Sequence, residues 1–88
     1  MPTQAGLPKS GEIWVRRFTL RRQPQRIQFR VVQRVGRGNV WSLKVQVLQY
    51  SAALPAELTQ PEQTWDDASD WFADGEFTYV TSKKGNTT

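Results

Sequence analysis

The sequence predicts a mainly β fold: one small antiparallel domain of four or five strands, with a single short helix before the last strand. Three observations lead there. Apolar and polar residues alternate with a period of two through most of residues 12–50, the mark of strands that bury one face. Gly36-Arg37-Gly38-Asn39 falls between two such stretches and signals a hairpin, because glycine accepts a positive φ without steric cost. The chain has 88 residues, enough for one domain with a small core. Its hydrophobic fraction is only 38%, and four Trp, four Phe and two Tyr must anchor that core.

Residues 1–10 hold Pro2, Gly6 and Pro8 and little that packs, so they are expected to form a flexible lead-in. Residues 11–81 are the expected domain, and residues 82–88 a flexible polar tail. The first strand candidate covers residues 12–20, with Ile13 and Val15 alternating against Trp14, Phe18 and Leu20. Apolar groups on both of its faces imply a strand that bends or is covered twice. Pro24 then interrupts, so residues 21–25 read as a turn or loop. In residues 26–35, Ile27, Phe29, Val31 and Val35 share one face, while Arg26, Gln28, Arg30 and Arg34 share the other with Val32. Residues 40–50 put Trp41, Leu43, Val45 and Val47 on one face. A three-residue loop with Gly38 left-handed would pair Val31 with Leu43 and Phe29 with Val45, and would set Lys44 opposite Arg30. A slip of one residue would turn a core face outward.

Residues 51–60 contain Pro55 and read as a loop. A helix is expected over roughly residues 65–73, opened by a capping box of Thr64 and Asp67 and ended by Gly75. Trp65, Ala68 and Phe72 would share its apolar face, and Asp66, Asp67 and Asp70 would suit the positive end of its dipole. Trp41 and Phe72 are expected inside. Residues 77–80 complete the pattern as a last strand.

Gly11-Glu12-Ile13-Trp14, then Phe29-Arg30-Val31-Val32, then residues 40–45, then an aromatic-rich turn before a closing strand make a recognisable series. It resembles a small SH3-like barrel of the short bacterial and phage type, over residues 11–80. An open sheet packed against the helix is the alternative architecture. Such a resemblance implies a fold more than an activity. The opening strand is also similar to that of the MazF/PemK class of ribonuclease toxins, which would imply RNA cleavage. Those proteins carry an Arg-Pro-aliphatic segment where this chain has Arg26-Ile27 without the proline, so no catalytic residue is carried over.

The chain has no Cys and no His, which excludes disulfides, thiolate nucleophiles, imidazole bases and the usual zinc ligands. The acids Asp66, Asp67, Asp70, Asp74 and Glu76 match neither the paired carboxylates of glycoside chemistry nor a calcium loop. A non-enzymatic protein without cofactor or metal is therefore expected. No apolar run approaches the ~18–20 residues of a membrane span, and residues 1–10 lack the apolar core of a signal peptide. A cytoplasmic location away from the membrane is expected, which the lack of cysteine suits.

Charge carries the functional signal. Residues 1–50 hold ten Lys/Arg against Glu12 alone, whereas residues 51–88 hold seven acids against Lys83 and Lys84. Strand alternation would gather Arg26, Arg30 and Arg34 on one outward face with Lys44. Arg37 at the hairpin tip and Arg16, Arg17, Arg21 and Arg22 would extend it. Gln28, Gln46 and Tyr50 would add hydrogen-bonding and stacking groups. The leading expectation is a nucleic-acid-binding protein, for DNA or RNA, with phosphate attraction supplying most of the affinity. Two plainer roles compete: a solvated face that guards a β edge, or partners for the acids between Glu57 and Glu76. The alternative function is a protein-interaction module, a regulator from a phage or mobile element that grips a host protein through Trp65, Trp71 and Asp70. A homodimer is compatible with either.

Overall fold

The computed structural model describes residues 6–81. Five antiparallel strands form one sheet in the order β4-β3-β2-β1-β5: β1 (Ile13–Leu20), β2 (Gln23–Arg37), β3 (Val40–Tyr50), β4 (Glu62–Trp65) and β5 (Phe77–Thr81). A 3₁₀ turn (Ala56–Leu58) follows β3, and a short helix α1 (Ala68–Ala73) lies between β4 and β5. The mainly β class and the helix before the last strand are as expected, and the strand order is compatible with an SH3-like fold. The sheet does not close. β4 and β5 are its two edges, which is the open-sheet alternative.

Alternation builds the core. Trp14 of β1, Ile27, Phe29 and Val31 of β2, and Trp41, Leu43 and Val45 of β3 are buried together with Trp65, Ala68 and Phe77. Phe72 is partly buried against them. Aromatic edges meet aromatic faces throughout: Phe29 lies 4.8 Å from Trp65 and 5.5 Å from Phe77, and Trp14 lies 6.0 Å from Phe72. Such pairs contribute about 1 kcal/mol each beyond the area they bury. The Trp41 amide donates to Ser69 Oγ at 3.1 Å, tying α1 to β3 through a buried bond.

Four features depart from the sequence reading. The β1–β2 connection is only two residues long, Arg21 and Arg22, because Leu20 already pairs with Gln23. Pro24 therefore sits inside β2, opposite Thr19. Its missing N–H costs nothing there: in the pair next to the one that closes a two-residue loop, the amide points away from the partner strand. The β2–β3 turn is also two residues, Gly38-Asn39, since Arg37 pairs with Val40. Gly38 has φ +62°, as a glycine in the first central position of such turns does.

Bulges explain the second departure. Val31 pairs with Val45 and Gln33 with Lys44, so Val32 is an extra residue in β2; Leu48 is likewise extra in β3, between the pairs Phe29/Val47 and Gln28/Gln49. Lys44 lies opposite Gln33, not Arg30, because the turn closes at Arg37/Val40. Third, residues 62–65, expected as loop and helix start, form edge strand β4, and Trp65 belongs to it. The Gln63 side chain fixes this strand: Nε2 donates to the Leu58 and Gln60 carbonyls at 2.9 and 3.0 Å, and Oε1 accepts from Trp65 Nε1 at 2.8 Å. The helix shrinks to six residues with Asp67 at its N-cap, so Thr64 caps nothing.

Fourth, the packed unit begins before Gly11: Pro8 is fully buried, and Leu7 rests against the core. Residues 1–5 of the expected lead-in and the expected tail 82–88 lie outside the described residues. Gly36 is required by space as well as by its φ of +127°. A Cβ there would lie 2.7 Å from the Val40 carbonyl oxygen and 2.8 Å from the Trp41 Cα. Gly36→Ala is expected to cost about 3 kcal/mol, read as a lower urea midpoint with an unchanged m-value.

Candidate nucleic-acid interface

All eight arginines and Lys44 lie among the described residues, and pairing geometry sorts them by face. Along β1, Trp14, Arg16, Phe18 and Leu20 point to the helix side, while Val15, Arg17 and Thr19 lie on the other face, Val15 buried there and Arg17 and Thr19 exposed. Along β2 up to the Val32 bulge, Ile27, Phe29 and Val31 point inward while Arg26, Gln28 and Arg30 point outward. The bulge reverses this parity. Arg34 pairs with buried Leu43 and holds its guanidinium 5.7 Å from the Trp41 ring, so it leaves the face that carries Arg26 and Arg30. Arg37 is exposed at the tip of the β2–β3 hairpin, and Lys44, opposite Gln33, is exposed on the same outward face as Arg30 and Gln46.

Arg16 leaves the expected patch altogether. Its guanidinium lies 3.6 Å from the centre of the Trp71 ring and 4.1 Å from that of Phe18, and its Nε donates to Glu76 Oε1 at 2.7 Å. Only 11% of its side chain is exposed. Cation–π stacking and a charge-assisted hydrogen bond thus turn this arginine into core material. Of the residues expected to grip a protein partner, Trp65 is buried, Trp71 is partly buried with one ring face stacked on Arg16, and Asp70 is exposed.

Arg16–Glu76 is the only ion pair among the described residues. The acids do not neutralise the other seven arginines, although both kinds of residue lie in one domain. Arg30 finds a neutral partner, donating from Nη1 to Gln46 Oε1 at 2.9 Å.

The sharpest feature involves Arg17, which the sequence reading mentions only as an extension. Arg17 lies directly across from Arg26, both exposed. The Arg17 amide donates away from β2, to the Glu76 carbonyl at 2.8 Å, and Arg26 exchanges bonds with Ser51 on the β3 side. Arg17 and Arg26 are thus a non-hydrogen-bonded pair, the closer of the two antiparallel arrangements, with Cα atoms ~4.5 Å apart. A shallow depression of about 400 Å³ opens beside them, lined by Arg17, Phe18, Thr19, Pro24, Gln25 and Arg26. Reading Arg21-Arg22 as a two-residue turn would have found the pair by counting. The Gly-free dipeptide gave no such signal.

Beyond residue 17 on β1 and before residue 26 on β2, these strands bond only to each other among the described residues. β5 reaches no further than Arg16 and the Arg17 amide, and β3 with Ser51 no further than Arg26. Arg21 and Arg22 close this ribbon with φ of 53° and 67°, the left-handed region that costs a side-chain-bearing residue ~1 kcal/mol or more. Four arginines and no acid occupy residues 17–26.

No family model matches the chain, and comparison with curated proteins and with solved structures found no match. Among the described residues no helix is long and apolar enough to cross a membrane, and no three acids converge as a metal site would require.

Removing Glu76 should strand the Arg16 charge. Glu76→Ala is expected to cost about 2 kcal/mol in urea unfolding, less than for a fully buried pair because both side chains keep some solvent contact. Glu76→Gln, which retains an acceptor, should cost about half as much.

Proposed function

We propose that this chain is a non-enzymatic nucleic-acid-binding protein whose contact surface is the outward face of β1 and β2, formed by Arg17, Arg26 and Arg30 and extended by Arg21 and Arg22. The observation that carries this reading is the Arg17/Arg26 pair. Like charges directly across a ladder destabilise a sheet by some tenths of a kcal/mol. Here the arrangement sits in the closest kind of pair, with no acid within ion-pair distance of either side chain. Negative charge or acceptor atoms set between the two guanidiniums would reverse the sign of that interaction, and nucleic acids supply both in phosphates and base edges. Lys44, two residues from Gln46 on the same outward face, extends this surface beside Arg30, while Arg37 at the tip of the β2–β3 hairpin stands outside it. We read the fold itself as an SH3-like domain of the short bacterial or phage type, supported by the Gly11-Glu12-Ile13-Trp14 opening and the strand order.

The test is fluorescence-anisotropy titration with labelled single- and double-stranded DNA and RNA at several salt concentrations. Binding should fall linearly with salt on a log–log plot. Replacing the pair, Arg17→Thr with Arg26→Thr, should weaken binding roughly tenfold. Urea unfolding of the same variant should show stability unchanged or raised by some tenths of a kcal/mol, since a repulsion is removed and threonine suits strands. Absence of binding at low salt, or equal affinity in the variant, would refute the reading.

A further inference from the structure

The β1–β2 ribbon has a second peculiarity that simple phosphate attraction leaves unexplained. A two-residue hairpin turn with positive φ at both positions is ordinarily made by Asn-Gly or Asp-Gly, because other side chains are strained there. This chain places arginine at both, at φ of 53° and 67°. Strained backbone persists where the surroundings enforce it, and it clusters at sites of function. The ribbon is also held stiffly from one side. Phe18 and Leu20 pack against the core and Gln25 is 6% exposed, while among the described residues nothing pairs with the backbone edges beyond Arg17 and before Arg26, and Arg17, Thr19, Arg21, Arg22 and Arg26 are exposed. A ribbon anchored in this way loses little freedom on binding.

Resting on the nucleic-acid reading above, we propose that residues 17–26 form a β-ribbon that enters the major groove of duplex DNA. In that pose the outward side chains of Arg17, Thr19 and Arg26 face base edges, and Arg21 and Arg22 at the turn hold phosphates of the flanking backbone. The dimensions agree. Two strands lie ~4.8 Å apart, and with side chains they fill a groove ~12 Å wide that admits a two-stranded ribbon. Paired arginines match the acceptor edge of guanine, and a threonine methyl matches that of thymine.

The other nucleic acids fit less well. The major groove of duplex RNA is too deep and narrow for a ribbon. Single strands are gripped by stacking bases on exposed aromatic rings. Here Trp14, Trp41 and Trp65 are buried, and Trp71 is partly buried with one ring face stacked on Arg16. The exposed aromatics, Tyr50 and Tyr79, pair with Ile27 and Trp14 and so belong to the opposite face of the sheet from Arg17 and Arg26.

The deciding variant is Arg21→Asn with Arg22→Gly. It supplies the dipeptide the turn prefers, so the fold should gain stability while the proposed phosphate contacts disappear. Anisotropy would be measured on a 20-base-pair DNA duplex, the RNA duplex of the same sequence and the single DNA strand. A DNA duplex whose major groove is filled by glucosylated hydroxymethylcytosine completes the set. The wild-type chain should bind the plain DNA duplex at least about tenfold more tightly than the other three probes. The turn variant should melt at a higher temperature, bind the DNA duplex roughly tenfold more weakly, and show a salt slope smaller by about 2.

Equal affinity for single strands or duplex RNA, indifference to the filled groove, or unchanged binding by the turn variant would each overturn the proposal. If salt-sensitive binding survives those results and still depends on Arg17 and Arg26, nucleic-acid binding stands and only the major-groove assignment fails. If none of the four probes binds, both fall together.

Discussion

Arg16 is the residue on which the remaining structure depends. Its guanidinium meets Trp71 of the helix, Phe18 of its own strand and Glu76 at the approach to β5, so one side chain joins β1, α1 and the last strand. A domain this small, with an apolar fraction of 38%, cannot fill its interior with aliphatic groups alone. An arginine whose charge is matched and whose plane stacks on aromatic rings fills that space at small electrostatic cost. Committing Glu76 to Arg16 has a second effect. That carboxylate lies beside the base of the β1–β2 ribbon, where the backbone carbonyl of Glu76 receives the Arg17 amide. With its charge taken up by Arg16, Arg17 and Arg26 face each other without a counterion from the protein.

The parts of the fold legible in the sequence are those that obey a period of two without interruption. Trp41, Leu43 and Val45, and Ile27, Phe29 and Val31, alternate cleanly and are buried. Register was not legible, because Val32 and Leu48 are bulge residues. An extra valine or leucine in an apolar strand looks like any other strand residue, yet each reverses the faces beyond it. The Val32 bulge sends Arg34 toward Trp41. β4 was hidden for a different reason. Glu62, Gln63 and Thr64 carry no apolar signal, and the strand is held by the Gln63 side chain and by pairing with β3, both tertiary effects.

The basic character of the surface was plain from composition, but its geometry depended on a turn that ignores the usual turn chemistry. Arg21-Arg22 carries neither glycine nor asparagine, and Pro24 two residues on suggested a broken strand. Local preference and observed conformation disagree here in three ways at once: left-handed φ on two arginines, a proline within a strand, and arginines face to face across the ladder. Natural sequences usually agree with their folds at every level, and disagreements concentrate where something other than stability is served.

Those disagreements also occupy one place. The inward side of the ribbon is conventional, with Phe18, Leu20 and Gln25 turned toward the domain, so the hairpin register is imposed from beneath. Strain and repulsion are confined to the outward side and the tip, where any ligand would meet them. A partner that neutralises Arg17 and Arg26 removes an existing repulsion as it forms new contacts, so its binding free energy includes that relief. Aspartate or glutamate at residue 17 would remove the same repulsion within the sheet, and asparagine-glycine would remove the turn strain. The chain does neither. Both changes, one substitution at residue 17 and two at the turn, fall at exposed positions that the core does not constrain, so packing does not account for the arginines found there.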